Sequence, residues 1–139
     1  RGNADWTVGD VKALSIWFHG ASGNEIADLD QMYVEVDGVR VSYDGSMSDL
    51  ASGTWIEWNI ALDEFNGADL SDVSTITIGF EHSGNATEEE LGLVYFDYIA
   101  LWRSRCLYPP EYDFTSDCVV DFSDFALFSE DWLDSGMWP

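Results

Sequence analysis

The chain of 139 residues is long enough for one domain with a small additional unit, and its hydrophobic content of 46% can build a core. It carries 27 acidic and 5 basic residues, a formal net charge of −22. Such a charge repels nucleic acid and anionic lipid, so we expect cations, neutral polymers or other proteins as partners. The apolar runs fall short of the roughly 20 residues that a membrane helix needs, which predicts no membrane span.

The region 1–103 is predicted to be mainly β, an antiparallel β-sandwich or jelly roll. Apolar and polar residues alternate with a period of two in several runs. Asp37 and Gly38 lie between two alternating runs and predict a type I′ hairpin turn, because both central positions of that turn need positive φ. The predicted strands are 11–19, 31–37, 39–43, 54–62, 74–81 and 93–102, and we expect a loop with one helical turn over 63–72.

The sandwich is expected to be incomplete. Only six strands are predicted, and the strand over 11–19 is apolar on both faces, which is typical of a covered strand rather than a free edge. We therefore expect one or more N-terminal strands to be missing from this sequence. Exposed sheet edges favour strand addition from another copy of the chain, and head-to-tail contacts that do not close would give a fibre. The alternative is a chain boundary that trims a strand.

The start of the chain and its two cysteines bear on its location. The sequence opens on RGNADWTVGD without an initiator methionine, so we interpret it as a processed or excised piece. Cys106 and Cys118 are an even count in an acidic, lysine-poor chain, which favours one disulfide and an extracellular location. The alternative is two buried thiols in a cytosolic protein.

The composition changes after residue 103. Two prolines in RSRCLYPPEY predict an extended linker over 104–112. The acidic segment DFTSDCVVDFSD follows, and after it Phe125, Phe128 and Trp132 share one face of a predicted helix. We predict a loop and helix over 113–134 and a tail over 135–139.

The acidic segment matches the ligand register of a 12-residue calcium loop. Oxygen ligands at positions 1, 3, 5, 7, 9 and 12 of such a loop correspond to Asp113, Thr115, Asp117, the backbone carbonyl of Val119, Asp121 and Asp124. Two positions depart from the general pattern. Cys118 stands at position 6, where glycine is usual, and costs about 1 kcal/mol or more if its φ is positive, while position 12 holds Asp instead of a bidentate Glu. The alternative is an Asp-rich turn and N-cap before a helix.

The segment DFTSDCVVDFSDFALFSEDWL resembles one half of a dockerin, which is a calcium loop followed by one helix. Dockerins carry two such repeats, which pack together and bind a cohesin, and this sequence contains one. The resemblance implies calcium ligation at the six positions above, and we do not expect cohesin binding.

A second resemblance covers the β region. The segments DWTVGDVKALSIWFHG, TWIEWNIALDEF, LSDVSTITIGFE and VYFDYIALW are similar to galactose-binding-like jelly-roll modules, carbohydrate-binding-module-like domains of large secreted bacterial proteins. The resemblance implies a fold and a bacterial extracellular or cell-surface location, and specifies no ligand. An Asp in the position of Asp97 resembles a structural calcium ligand of these modules, which implies a second cation there. The alternative is a bulge that turns Asp97 outward.

The seven tryptophans suggest a polysaccharide-binding surface. Aromatic faces stack on sugar rings, and a sheet face can present several of them. Trp17 and Trp55 lie on the more polar or doubly covered faces of their strands and are the candidate platform, whereas Trp58 is expected in the core. The alternative is that both pack under a loop or against a neighbouring subunit.

No catalytic pattern stands out. His19 and His82 match no catalytic or metal-ligand spacing, and no pair of acids is singled out, so we predict no enzymatic activity. Asn85 in NAT fits the N-glycosylation acceptor pattern. The predicted function is an extracellular, calcium-stabilised, glycan-binding or surface-associated module of a larger assembly. The alternative is a structural subunit of an extracellular fibre, completed by a strand from its neighbour.

Overall fold

The computed structural model describes residues 3–25, 30–82 and 92–130, without the side chains of Asp30 and His82. The chain divides into two compact units, Arg1–Ser104 and Arg105–Pro139. The candidate glycosylation residue Asn85 and the predicted tail lie outside the described residues. Within those residues, no helix has the length and apolar character needed to cross a bilayer.

The first unit is mainly β, and its strands form two antiparallel sheets. The strands are β1 (Val11–Gly20), β2 (Asp30–Val36), β3 (Val39–Ser42), β4 (Trp55–Ala61), β5 (Ile76–His82) and β6 (Val94–Arg103). One sheet has the order β4-β1-β6 and the other β3-β2-β5. Short 3-10 helices cover Val8–Asp10, Met47–Ala51 and Leu62–Phe65. The predicted antiparallel sandwich class is confirmed, and each predicted strand overlaps an observed one.

The core lies between the two sheets, because alternation along each strand turns every second apolar side chain inward. Burial of each such side chain contributes about 1.5–3 kcal/mol relative to exposure. The buried hydrophobic strand residues are Leu14, Ile16, Phe18, Met32, Val34, Val36, Trp58 and Ile60. Trp58 is therefore a core residue, as its place in the alternating strand predicts.

The predicted hairpin turn joins β2 to β3. Asp37 and Gly38 have φ of 45° and 88°, and the residues that flank them pair directly across the turn. The Asp37 carboxylate accepts hydrogen bonds from the Ser74 hydroxyl at 2.6 Å and from the backbone N–H groups of Ser74 and Thr75. The turn is thereby fixed to the segment that leads into β5.

A β-bulge interrupts the pairing of β1 with β6. Ser15 pairs with Ala100 and Trp17 pairs with Asp97, so two residues of β6 stand opposite one residue of β1. Tyr98, one of the two, has φ of 47°. The sequence was compatible with either a second cation site or a bulge at Asp97. The bulge is present, and it changes the direction of the side chains around it.

In its described part, up to residue 130, the second unit contains the acidic loop and one helix, α1 (Phe122–Glu130). Asp121 lies at the N-cap of α1, and its carboxylate accepts a hydrogen bond from the Ser123 backbone N–H at 2.7 Å. Cys106 and Cys118 form a disulfide, with Cα atoms 5.7 Å apart, which confirms the predicted bond.

Candidate functional site

The first candidate site is an aromatic cleft on the outer face of the β4-β1-β6 sheet. Trp17, Trp55, Asp97 and Tyr98 line this open cleft, which has a volume of about 450 Å³. Trp55 is 47% exposed and Tyr98 is 61% exposed, so their rings are accessible to a ligand. The two tryptophans singled out in the sequence thus line the same cleft.

Strand register explains how the cleft is assembled. Trp17 pairs with Glu57 on β4 and with Asp97 on β6, while His19, two residues further along β1, pairs with Trp55. Residues that pair across antiparallel strands share a face, and these residues alternate with the core positions of their strands. The pattern that fills the core therefore also places these polar and aromatic side chains together outside it.

The bulge in β6 brings Tyr98 to the cleft beside Asp97. The Tyr98 backbone N–H donates to Asp97 Oδ1 at 2.7 Å, which supports the positive φ of Tyr98. This bond occupies one carboxylate oxygen, so Oδ2 is available as an acceptor for a ligand. The cleft therefore combines three aromatic rings with one accessible carboxylate.

Other aromatic side chains extend this face of the sheet. The His19 ring lies 5.4 Å from the Trp55 ring and 6.1 Å from the Tyr95 ring, measured between centroids. His19 Nδ1 is buried and meets no hydrogen-bond partner among the described residues. The histidine thus packs as a flat ring between two aromatic neighbours and supports the position of Trp55.

The second candidate site is the acidic loop, whose first and last carboxylates meet at Thr115. The Thr115 hydroxyl lies 3.3 Å from Asp113 Oδ1 and 3.1 Å from Asp124 Oδ1. The Thr115 backbone N–H also donates to Asp124 Oδ1, at 2.9 Å. Positions 1, 3 and 12 of the predicted calcium register therefore come together.

The other two carboxylates of the register close local turns. Asp117 Oδ1 accepts from the Val119 backbone N–H at 2.9 Å, and Asp121 Oδ1 caps α1. Each of these bonds uses one carboxylate oxygen and leaves the other for a ligand. Within the described residues, no three loop carboxylates bring ligand atoms within 4.8 Å of one another. Calcium ligation by all of them thus requires the loop to contract.

Asp124 is the most deeply buried acid of the loop, with 2% of its surface exposed. Its Oδ2 atom accepts from the Asp121 backbone N–H at 2.8 Å. This bond, followed by those from Thr115, holds the pKa of Asp124 below its usual range, although burial acts in the opposite direction. Asp124 is therefore ionised at neutral pH, as a carboxylate ligand of a metal must be.

Cys118 occupies the position where calcium loops usually carry glycine. Its φ is 72°, in the left-handed region, and its backbone N–H donates to Asp113 Oδ2 at 2.8 Å. The Asp113 carboxylate also lies within 4.8 Å of the sulfur atoms of Cys106 and Cys118. Because these sulfurs are bonded to each other, they cannot act as thiolate ligands, and this group of atoms is not a thiolate metal site.

The chemistry of the loop fits calcium better than a transition metal. Its ligand atoms are carboxylate, hydroxyl and carbonyl oxygens, which are the hard ligands that calcium prefers in sets of six to eight. The residues that would hold the ion are Asp113, Thr115, Asp117, Val119, Asp121 and Asp124. This ligand set stays a prediction, since the geometry brings only part of it together.

An apolar cleft of about 330 Å³ adjoins the acidic loop. The rings of Phe114 and Phe128 stack with centroids 6.0 Å apart, and the Phe125 ring lies 6.4 Å from that of Phe128. Phe125 is still 61% exposed, although the sequence assigns it to the apolar face of the helix. Trp132, the third residue of that predicted face, lies outside the described residues.

The cleft contains one residue that the sequence did not single out and one residue whose predicted role stays untested. Tyr98 was missed, because its contribution depends on a bulge that alternation does not reveal. Asp97 belongs to no cluster of three or more His, Cys, Asp or Glu ligand atoms among the described residues. The second calcium at Asp97 therefore stays a prediction without a supporting ligand cluster.

Comparison with known proteins adds no family to this description. No protein-family profile, curated protein or solved structure matches the chain.

Proposed function

We propose that the chain is a non-catalytic, extracellular, calcium-stabilised module that binds carbohydrate, similar to a carbohydrate-binding module followed by a single dockerin-like repeat. The observation that carries this proposal is the cleft lined by Trp17, Trp55 and Tyr98 beside Asp97. The faces of such rings stack on the C–H faces of sugars, while a carboxylate accepts hydrogen bonds from sugar hydroxyls.

The charge of the molecule supports a carbohydrate rather than an anionic polymer. A net charge of −22 opposes the approach of nucleic acid and of anionic lipid surfaces. A polysaccharide without phosphate or carboxylate groups meets no such barrier. The disulfide supports an extracellular location, because disulfides persist in oxidising compartments.

The aromatic surroundings of His19 support a packing role for this residue on the face that carries the cleft. His19 Nδ1 is buried, and its ring is flanked by Trp55 and Tyr95. These contacts suit a structural ring on the binding face.

Affinity electrophoresis through gels that contain single neutral polysaccharides tests the proposed function. Trp17→Ala and Trp55→Ala should each weaken any retardation of the wild-type chain by about fivefold or more in affinity, because each removes a stacking surface worth about 1 kcal/mol or more. Tyr108→Ala is the matched control, since Tyr108 is an exposed aromatic residue of the second unit. Wild-type migration that is unchanged by every polysaccharide, or retardation that neither tryptophan substitution weakens, would refute the cleft as a glycan site.

A second candidate function is a fibre subunit that accepts a strand from its neighbour. Phe80 and Ile76 of β5 pair with the core residues Met32 and Val36, so they face inward, yet they are 47% and 38% exposed. The Phe80 ring lies 6.4 Å from that of Phe96, which places β5 and β6 on the same side of the sandwich. Both strands end their sheets among the described strands. An incoming strand would cover this apolar surface and pair with an edge.

Light scattering and electron microscopy distinguish this second candidate. Phe80→Lys should dissolve any assembly, because it places a charge where the incoming strand would bury its side chains. Val8→Lys introduces the same charge at another exposed apolar residue and should leave assembly intact. A wild-type chain that stays monomeric at high concentration would exclude the fibre function.

A further inference from the structure

The cleft on the outer sheet face carries a negative charge, with which a neutral sugar forms no ion pair. Trp17 lies beside an acid, since its cross-strand partner on β6 is Asp97, which also lines the cleft. Paired residues on adjacent strands lie about 4.5–5.5 Å apart at their Cβ atoms. The Asp97 carboxylate therefore places a negative charge beside the Trp17 ring, which favours a positively charged ligand.

No lysine or arginine of the described residues lines the cleft, so its carboxylate is not neutralised there by a side chain of the protein. Three basic residues of the first unit make their contacts elsewhere: Lys12 pairs with Asp10, Arg40 pairs with Glu35 and Glu81, and Arg103 donates to the carbonyl of Gly9. A ligand that enters the cleft with a positive charge meets an acid whose second oxygen is available.

The aromatic rings also favour a cation. An ammonium group over the face of a Trp or Tyr ring is attracted by the ring quadrupole, and the attraction grows as water is excluded. Trp17, Trp55 and Tyr98 supply three such rings around one carboxylate. This lining of three rings and one carboxylate favours an organic cation over calcium, which needs six or more oxygen ligands.

We propose that the cleft binds a glycan through a protonated amine, so that its ligand class is an amino sugar whose amine is free rather than acetylated. The ammonium group lies between the aromatic rings and donates a hydrogen bond to Asp97 Oδ2, while the adjoining sugar ring stacks on Trp17 or Trp55. This inference rests on the proposed carbohydrate-binding function and names the chemical group that the site selects.

The test compares three β-1,4-linked oligosaccharides of equal length that differ only at carbon 2: oligomers of glucosamine, of N-acetylglucosamine and of glucose. Isothermal titration calorimetry measures each against the full chain at a pH where the amines are protonated and the carboxylates ionised. The glucosamine oligomer should bind about tenfold more tightly than either neutral oligomer. Asp97→Asn should remove most of that preference.

Non-specific attraction between a cationic oligomer and an acidic protein is the main confounding effect. Asp72→Asn is the matched control, because it removes the same charge from an exposed acid that does not line the cleft. The site assignment requires that Asp72→Asn retains the preference and that Trp17→Ala weakens binding. A preference that Asp97→Asn and Asp72→Asn reduce equally, or that both retain, overturns the inference.

Failure of this inference is distinguishable from failure of the proposed function. Neutral oligomers that bind as tightly as the glucosamine oligomer, with loss in Trp17→Ala, overturn the amine selectivity and leave carbohydrate binding standing. If none of the three oligomers binds, the inference is overturned, and the polysaccharide gels decide the broader function separately.

Discussion

At the scale of single residues, carboxylates support three of the described non-glycine residues with positive φ, one each at the hairpin turn, the cleft and the acidic loop. They are Asp37, Tyr98 and Cys118, with φ of 45°, 47° and 72°. Such a conformation costs roughly 1–2 kcal/mol for a residue with a β-carbon. In each case a carboxylate offsets part of this cost by accepting a backbone N–H: Asp37 from Ser74 and Thr75, Asp97 from Tyr98, and Asp113 from Cys118.

Asp37 provides a prediction with a defined pH dependence. The Ser74 hydroxyl and the Ser74 backbone N–H hold its pKa below the ordinary value of about 3.9. A depressed folded-state pKa stabilises the protein above the unfolded-state pKa, and this stabilisation is lost as pH falls through the folded-state pKa. Asp37→Asn keeps a residue that tolerates positive φ, removes the charge and replaces one of the two acceptor oxygens by an amide NH2 group.

We expect Asp37→Asn to be less stable than wild type at neutral pH, with a difference that closes as pH falls below about 4. Urea denaturation of both proteins across that range measures the difference. Asp72→Asn, a charge removal at an exposed acid of the same unit, should not reproduce this closing. A difference that stays constant with pH would show that the Asp37 charge does not support the turn.

At the scale of elements, the acidic loop combines a cross-link with a strained residue. The disulfide joins residues 12 apart in sequence and is worth about 3 kcal/mol by loop closure. The positive φ of Cys118 costs about 1 kcal/mol or more. The cross-link is the larger effect, so cysteine at this position gives more stability than the glycine of the general calcium loop.

Substitution of each cysteine separates these two contributions. Cys106→Ser removes the cross-link and keeps the strained residue, so it should destabilise the second unit by about 3 kcal/mol. Cys118→Gly also removes the cross-link but relieves the strain, so its loss should be smaller by about 1 kcal/mol. Thermal denaturation without reductant measures both. A larger loss for Cys118→Gly would contradict the role assigned to the positive φ.

Calcium is expected to stabilise the same loop. A ligand present at 100 times its dissociation constant adds about 2.7 kcal/mol to the stability of the state that binds it. EDTA should therefore lower the melting temperature of the second unit, and Asp113→Asn should remove most of this response. Asp63→Asn, an equal charge change in the first unit, should preserve it. A melting temperature that EDTA leaves unchanged would contradict calcium binding.

At the scale of the whole molecule, the strands could be predicted from the sequence because alternation directly records which side of a strand is buried. The hairpin at Asp37 and Gly38 could be predicted because few residues accept positive φ. The pairing order of the strands could not, since it depends on contacts between distant segments. Trp17 and Trp55 were identified as a possible platform, but the place of Tyr98 depends on a bulge in β6.

In the acidic loop, too, local features could be predicted from the sequence and long-range contacts could not. The order of oxygen-bearing residues gave the register, and the cysteine count favoured the disulfide that is present. Periodicity assigned an apolar face to the helix, but could not show that Phe125 remains exposed. Periodicity identifies which residues share a face, whereas the partner that covers this face is a long-range property.

Nuclear magnetic resonance of the tryptophan indole N–H signals tests the central claim, carbohydrate binding in the cleft, most directly. When the polysaccharide fragment that the chain retains most strongly is added, the signals of Trp17 and Trp55 should shift together and saturably, because a sugar ring over an indole changes its magnetic environment. The signal of Trp58 should stay in place, since this residue is buried in the core. Unchanged Trp17 and Trp55 signals at ligand saturation would contradict the assignment of the cleft as the binding site.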